Sequence, residues 1–191
     1  MGSASSRARS VQSHAATGKK RMKSNKQRFQ NRAVVGKEWE HKVAQALRDR
    51  GIDAVVVSEE ATFDKPREHY TKNDVDILVN PDSDRPTVIE VKSRRDTCTF
   101  TGPADFPFQT VFVDTLQGWQ GKATKPDYYL FVSQNTGCIV ALPTTDRRHW
   151  KVKKIFDRGY GYPTKTIIAP AEELKSLDWL VERLGGSDEE G

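Results

Sequence analysis

An α/β or α+β domain with a central mixed β-sheet flanked by helices is predicted by three observations. One amphipathic helical pattern comes first, several short β-rich runs follow, and mixed elements close the chain, an order that packs helices against a sheet. The 191 residues leave room for one core of ordinary size plus polar extensions. The extensions account for a low apolar share of 36% beside a charged share of 30%.

Residues 36–50 carry Trp39, Val43, Ala46 and Leu47 at helical spacing, one apolar stripe. Gly51 caps that helix, with Arg48 and Arg50 in its last turn. Ile52–Val57 predicts a first strand and Ser58–Lys72 an irregular stretch. Asn73–Val79 and Thr87–Lys92 are β-rich runs joined by Asn80-Pro81-Asp82-Ser83-Asp84-Arg85-Pro86, the composition of a turn, and predict neighbouring antiparallel strands. Phe108–Asp114 predicts another strand and Thr115–Pro126 a short helix or loop. Tyr128–Ser133 and Cys138–Leu142 flank Gln134-Asn135-Thr136-Gly137 and predict a hairpin. Thr145–Phe156, with Arg147, Arg148, Lys151, Lys153 and Lys154, predicts a basic helix. Lys165–Ala169 predicts a last strand and Ala171–Leu184 a final amphipathic helix, with Trp150 and Trp179 in the core. The domain therefore spans residues 34–186, between a basic disordered tail, 1–33, and an acidic tail, 187–191.

The formal charge of +5 divides unevenly. Residues 1–35 hold nine Lys and Arg and no Asp or Glu, leaving 22 basic against 26 acidic groups in residues 36–191. A segment of this kind, including Lys19, Lys20, Arg21 and Lys23, gains affinity for polyanions by releasing counterions from phosphates. No run approaches the roughly 18 to 20 apolar residues of a membrane span, so no membrane partner is expected. Cys98 and Cys138 match no metal-ligand spacing and form no disulfide framework, and no apolar stretch follows the basic N-terminus. A cytoplasmic protein is expected.

The chemistry centres on Glu90-Val91-Lys92. Side chains alternate along a strand, so Glu90 and Lys92 share a face that Val91 does not. Asp76 from the neighbouring strand brings a second acid to the same place. A hard cation such as Mg²⁺, with Mn²⁺ as substitute, takes one or two carboxylates and keeps several waters, so Asp76, Glu90 and the Val91 carbonyl suit it. Such an ion can lower the pKa of a bound water and neutralise a scissile phosphate, which makes phosphodiester hydrolysis the expected reaction. Burying unpaired charges costs several kcal/mol, so burial here would call for an ion or substrate in compensation.

The pattern of Asp76, followed by Ile77-Leu78-Val79, then Glu90-x-Lys92, resembles the PD-(D/E)XK nuclease superfamily, with Val75 where the motif has Pro. The first helix is similar to that of its Holliday junction resolvase-like members, which carry Gly, three residues, then a Glu that reaches the metal. Gly36 and Glu40 fit that spacing, whereas Glu38 lies about 200° around the helix from Glu40. The resemblance covers residues 36–133. It implies a restriction-endonuclease-like core and a metal-dependent DNA endonuclease with Asp76, Glu90, Lys92 and Glu40 as catalytic residues. It further implies branched DNA as substrate, with a homodimer as one assembly seen in the family. A non-catalytic nucleic-acid-binding module with the same fold and an RNA-cleaving nuclease are the rival readings. Arg94 and Arg95, beyond Lys92, and Lys122, in the donor-rich segment 117–122, are candidate nucleic-acid contacts. That segment lacks the spacing of a nucleotide-binding phosphate loop.

Overall fold

The computed structural model describes residues 34–57, 75–95, 97–157 and 162–185. The two expected tails, the irregular stretch after the first strand, and Lys19, Lys20, Arg21 and Lys23 lie outside the described residues. Gly36–Gly191 forms one compact unit. Among the described residues, no helix is long and apolar enough to cross a membrane.

Helix α1 covers residues 34–48. Val43, Ala44 and Leu47 on it are fully buried, and side chains the size of Val43 and Leu47 contribute about 1.5–3 kcal/mol each when withdrawn from water. Gly51, at φ 82°, ends the helix as expected: its N–H donates to the Arg48 carbonyl at 2.9 Å, and that of Ile52 to the Leu47 carbonyl at 3.1 Å.

Six strands build a mixed sheet in the order β1 (Ala54–Val56), β2 (Ile77–Val79), β3 (Thr87–Arg94), β5 (Tyr128–Ser133), β6 (Ile139–Pro143) and β9 (Lys175–Ser176). Strands β3 and β5 are parallel, and the other neighbours are antiparallel. A parallel pair cannot be joined by a tight turn. The crossover from β3 to β5 instead runs through β4 (Thr110–Thr115) and helix α2 (Leu116–Gly121). Strand β4 belongs to a second, three-stranded antiparallel sheet in the order β4, β8 (Tyr162–Pro170), β7 (Lys151–Asp157).

Alternation along the strands sorts the core into two clusters. Ile77, Val79, Ile89, Leu130, Val132 and Ala141 pack with α1 and with Leu177, Leu180 and Leu184 of helix α3 (Leu177–Gly185). Tyr129, Phe131, Val140 and Leu142 point to the opposite face and meet Val111, Val113, Ile167 and Ala169 of the second sheet. Strand β5 is buried on both faces, and for that reason its sequence is a continuous apolar run. Trp150 and Trp179, expected in the core, are half-buried at its margins.

Two expectations are corrected. Residues 145–156 hold no helix: the basic segment is strand β7, paired with β8 from Lys151↔Ile168 to Asp157↔Tyr162. Val152, Ile155 and Phe156 give it β-branched and aromatic side chains, and a partner strand decides the outcome over local helical preference. The final helix begins at Leu177, because Ala171–Glu173 forms a short 3-10 turn and Lys175–Ser176 pairs with β6.

Candidate active site

The expected antiparallel pair β2–β3 forms, with Ile77 opposite Ile89 and Val79 opposite Thr87. Continuing that register by one residue sets Asp76 beside Glu90. The Val91 N–H donates to Oδ2 of Asp76 at 2.7 Å, and the Val57 N–H donates to the Asp76 carbonyl at 3.0 Å. The carbonyls of Val88 and Arg94 accept from Asp127 and Gln134 at the β5 side of β3. Backbone groups alternate sides along a strand, so both the N–H and the carbonyl of Val91 face the Asp76 side.

Glu90 is buried, with 7% of its surface accessible, and both its carboxylate oxygens are engaged. Lys92 Nζ donates to Oε1 at 2.7 Å, and Lys122 Nζ donates to Oε2 at 3.0 Å. Lys92 was expected on this face. Lys122, expected at nucleic acid, is brought here because it follows α2 on the crossover that returns the chain from β4 to β5. The Lys122 N–H closes α2 on the Gly118 carbonyl at 3.2 Å.

Two further residues join the cluster, neither of them among those singled out from sequence. Tyr129 lies opposite Glu90 in the parallel register, and its hydroxyl donates to Oδ2 of the buried Asp114 at 3.1 Å. Lys92 Nζ lies 5.7 Å from the centre of the Tyr129 ring. The other Asp114 oxygen accepts the Thr115 N–H at 2.8 Å, while Thr115 Oγ1 caps α2 by accepting from the Gly118 N–H at 2.9 Å. The one available signal was an acid at the end of an apolar run, since Asp114 interrupts its strand much as Glu90 does.

The electrostatics divide the two acids. Burial, then the carboxylates of Glu90 and Glu40, hold the Asp76 carboxyl well above the usual aspartate range, against the Val91 N–H and Lys92. Burial also pushes Glu90 upward, but the ammonium groups of Lys92 and Lys122 outweigh it and leave Glu90 below its ordinary value. For Lys92, burial disfavours the charge, yet Glu90, Asp114 and Asp76 together raise it above the usual lysine range. Burial and the nearby Asp114 and Glu90 raise the Tyr129 phenol, which stays a neutral donor.

Glu40 is half-buried on α1 and acts on Asp76 through its charge, whereas the exposed Glu38 pairs with Lys42 at 2.7 Å. Arg94 turns inward: its guanidinium donates to the Phe112 carbonyl and lies 5.0 Å from the Phe131 ring, tying β3 to β4. Burial lowers its pKa, with Cys98 opposing. Arg95 is exposed. The ring of Trp119 is used within the fold, 6.2 Å from Tyr129 and 6.0 Å from Trp150.

Among the described residues, no group of three or more His, Cys, Asp and Glu stands together as a metal cluster. The donor set is narrower: the buried Glu90 carboxylate, the half-buried Asp76 carboxylate and a backbone carbonyl, all hard oxygens of the kind Mg²⁺ takes alongside water. Each oxygen of an ionised carboxylate has two lone-pair sites, so an oxygen holding one ammonium can still accept a cation. Asp76, burdened by two neighbouring acids, is where added positive charge is most favourable. The residues fit such an ion.

Comparison of the chain with protein-family models, with curated proteins and with solved structures returns no match.

Proposed function

We propose that this chain is a Mg²⁺-dependent DNA endonuclease with a restriction-endonuclease-like core of the PD-(D/E)XK type, acting on branched DNA. The observation that carries the reading is the convergence of Asp76 with the Glu90–Lys92 pair on adjacent strands, through the contacts at 2.7 Å. Asp76, Glu90 and the Val91 carbonyl would hold the metal. The ion would supply Lewis acidity and a water made nucleophilic at neutral pH. Lys92 keeps an ammonium on the face of both acids, where it can neutralise a non-bridging phosphate oxygen and orient the attacking water. Glu90 fixes the Lys92 ammonium by accepting its hydrogen bond. Glu40 adds negative charge on the Asp76 side and so favours a cation there.

Lys122 favours a second reading. Its ammonium on Glu90 gives the buried acid a counter-charge without a metal, as a non-catalytic DNA-binding module with the same fold would need. Incubating the purified protein with supercoiled plasmid, four-way-junction DNA and RNA, in Mg²⁺ or in EDTA, decides between them. The nuclease reading expects EDTA-sensitive cleavage of DNA, with the junction preferred. Binding without cleavage of any substrate leaves the module, and cleavage confined to RNA transfers the same chemistry to another polymer.

A further inference from the structure

We propose that the β7–β8 ribbon is a duplex-DNA-binding element that holds the substrate next to the Glu90–Lys92 site. Strand β4 pairs with β8 only as far as Thr115↔Thr166. Beyond that point β8 pairs with β7 alone, through Lys165↔Lys154, Thr164↔Ile155, Pro163↔Phe156 and Tyr162↔Asp157. At about 3.4 Å per residue, these four rungs extend the two-stranded ribbon roughly 13 Å past the end of β4.

The composition of the ribbon suits a polyanion. Residues 151–156 are all exposed, and they include Lys151, Lys153 and Lys154. Lys165 is exposed as well. Among the described residues, none of these four ammonium groups meets a carboxylate. Lys154 and Lys165 stand directly opposite each other, an arrangement of like charges that destabilises a strand pair unless an anion lies across it. Phe156 is 60% exposed and Tyr162 50%, and alternation places the two rings on opposite faces of the ribbon. Lysines interleaved with aromatic rings can meet phosphates and sugars together.

Position links the ribbon to the site. It leaves the second sheet one rung beyond Asp114↔Ile167, and Asp114 is the residue that Tyr129 binds opposite Glu90. Duplex DNA is favoured over RNA because a two-stranded ribbon enters the wide major groove of B-DNA but not the deep, narrow one of A-form RNA. The proposal rests on the nuclease reading for its choice of a nucleic acid over another polyanionic surface.

The full chain carrying K153A, K154A and K165A tests it, with K151A and F156A as separate variants. Affinity for a labelled DNA duplex is measured by fluorescence anisotropy in EDTA across a salt series. Duplex RNA and phosphatidylserine vesicles are measured in parallel, and Mg²⁺-dependent cleavage is assayed separately. The triple variant should bind DNA at least about tenfold more weakly, with a slope of log K against log salt shallower by about 2 to 3. Its melting temperature should not fall, because a like-charge rung has been removed. Unchanged duplex affinity and slope in a folded triple variant overturn the proposal, and so does a loss confined to RNA or to vesicles. Weakened duplex binding with no cleavage by either protein supports the ribbon while sinking the nuclease reading. Cleavage by both with equal duplex affinity sinks the ribbon alone.

Discussion

Lys122 Nζ sits 3.0 Å from Oε2 of Glu90, the oxygen that Lys92 does not take. Both side chains are nearly enclosed, at 10% and 9% exposure, so the contact is a buried ion pair rather than a surface one. Removing one partner of such a pair strands the other charge. Lys122→Met should therefore destabilise the protein by about 1–3 kcal/mol, less than a wholly orphaned acid because Lys92 remains. Urea unfolding measures this, and an unchanged midpoint would mean that Glu90 does not depend on Lys122.

The same contact makes a prediction about metal. An ion that binds only the folded state stabilises it by about 2.7 kcal/mol at a hundredfold excess over its dissociation constant. Millimolar Mg²⁺ should raise the melting temperature of the wild type and raise that of Lys122→Met further, since a competing cation is gone. Asp76→Asn should show no Mg²⁺ shift. A shift of equal size in all three proteins would place the ion elsewhere.

Tyr129 and Asp114 form a second buried polar pair, through the hydroxyl contact at 3.1 Å. Tyr129→Phe removes one donor from a buried carboxylate and adds nothing in exchange. The expected cost is about 1–3 kcal/mol in chemical unfolding. A neutral result would mean that water replaces the phenol.

Gly118 separates propensity from packing. An alanine there gains about 1 kcal/mol of helix propensity in an open helix. In this chain its Cβ would come within 2.7 Å of Thr115 Oγ1 and 2.9 Å of Asp114 Oδ1. Thr115 Oγ1 cannot swing away without releasing the cap of α2. Gly118→Ala should thus destabilise, by about 1–3 kcal/mol of overpacking, and a raised melting temperature would contradict the placement of α2.

What was legible in the sequence follows from the range of each interaction. The β2–β3 pair, the Gly51 cap and the β5–β6 hairpin were legible because turn residues and alternation act over a few positions. So was the shared face of Glu90 and Lys92, which needs only the two-residue period of a strand. Lys122 on Glu90 was not, because 32 residues separate them and only the crossover through the second sheet unites them. Nor was the inward contact of Arg94: its sequence neighbours are polar, and only β4 brings the Phe112 carbonyl over it. The lysines of β7 resembled a helix face although Val152, Ile155 and Phe156 suit a strand, and pairing with the distant β8 decided between the two.

We propose Asp76, Glu90 and Lys92 as a metal-dependent phosphodiesterase site. The most direct test is cleavage of supercoiled plasmid and of a four-way junction in Mg²⁺ by the wild type and by Asp76→Asn, Glu90→Gln and Lys92→Ala, with duplex affinity measured in EDTA. The wild type should cut in an EDTA-sensitive manner, and each variant should lose at least about a hundredfold, the scale of removing a group that acts on the reacting atoms, with binding largely kept. Wild-type rates in the Glu90→Gln protein, or no cleavage by the wild type under any metal condition, would contradict it.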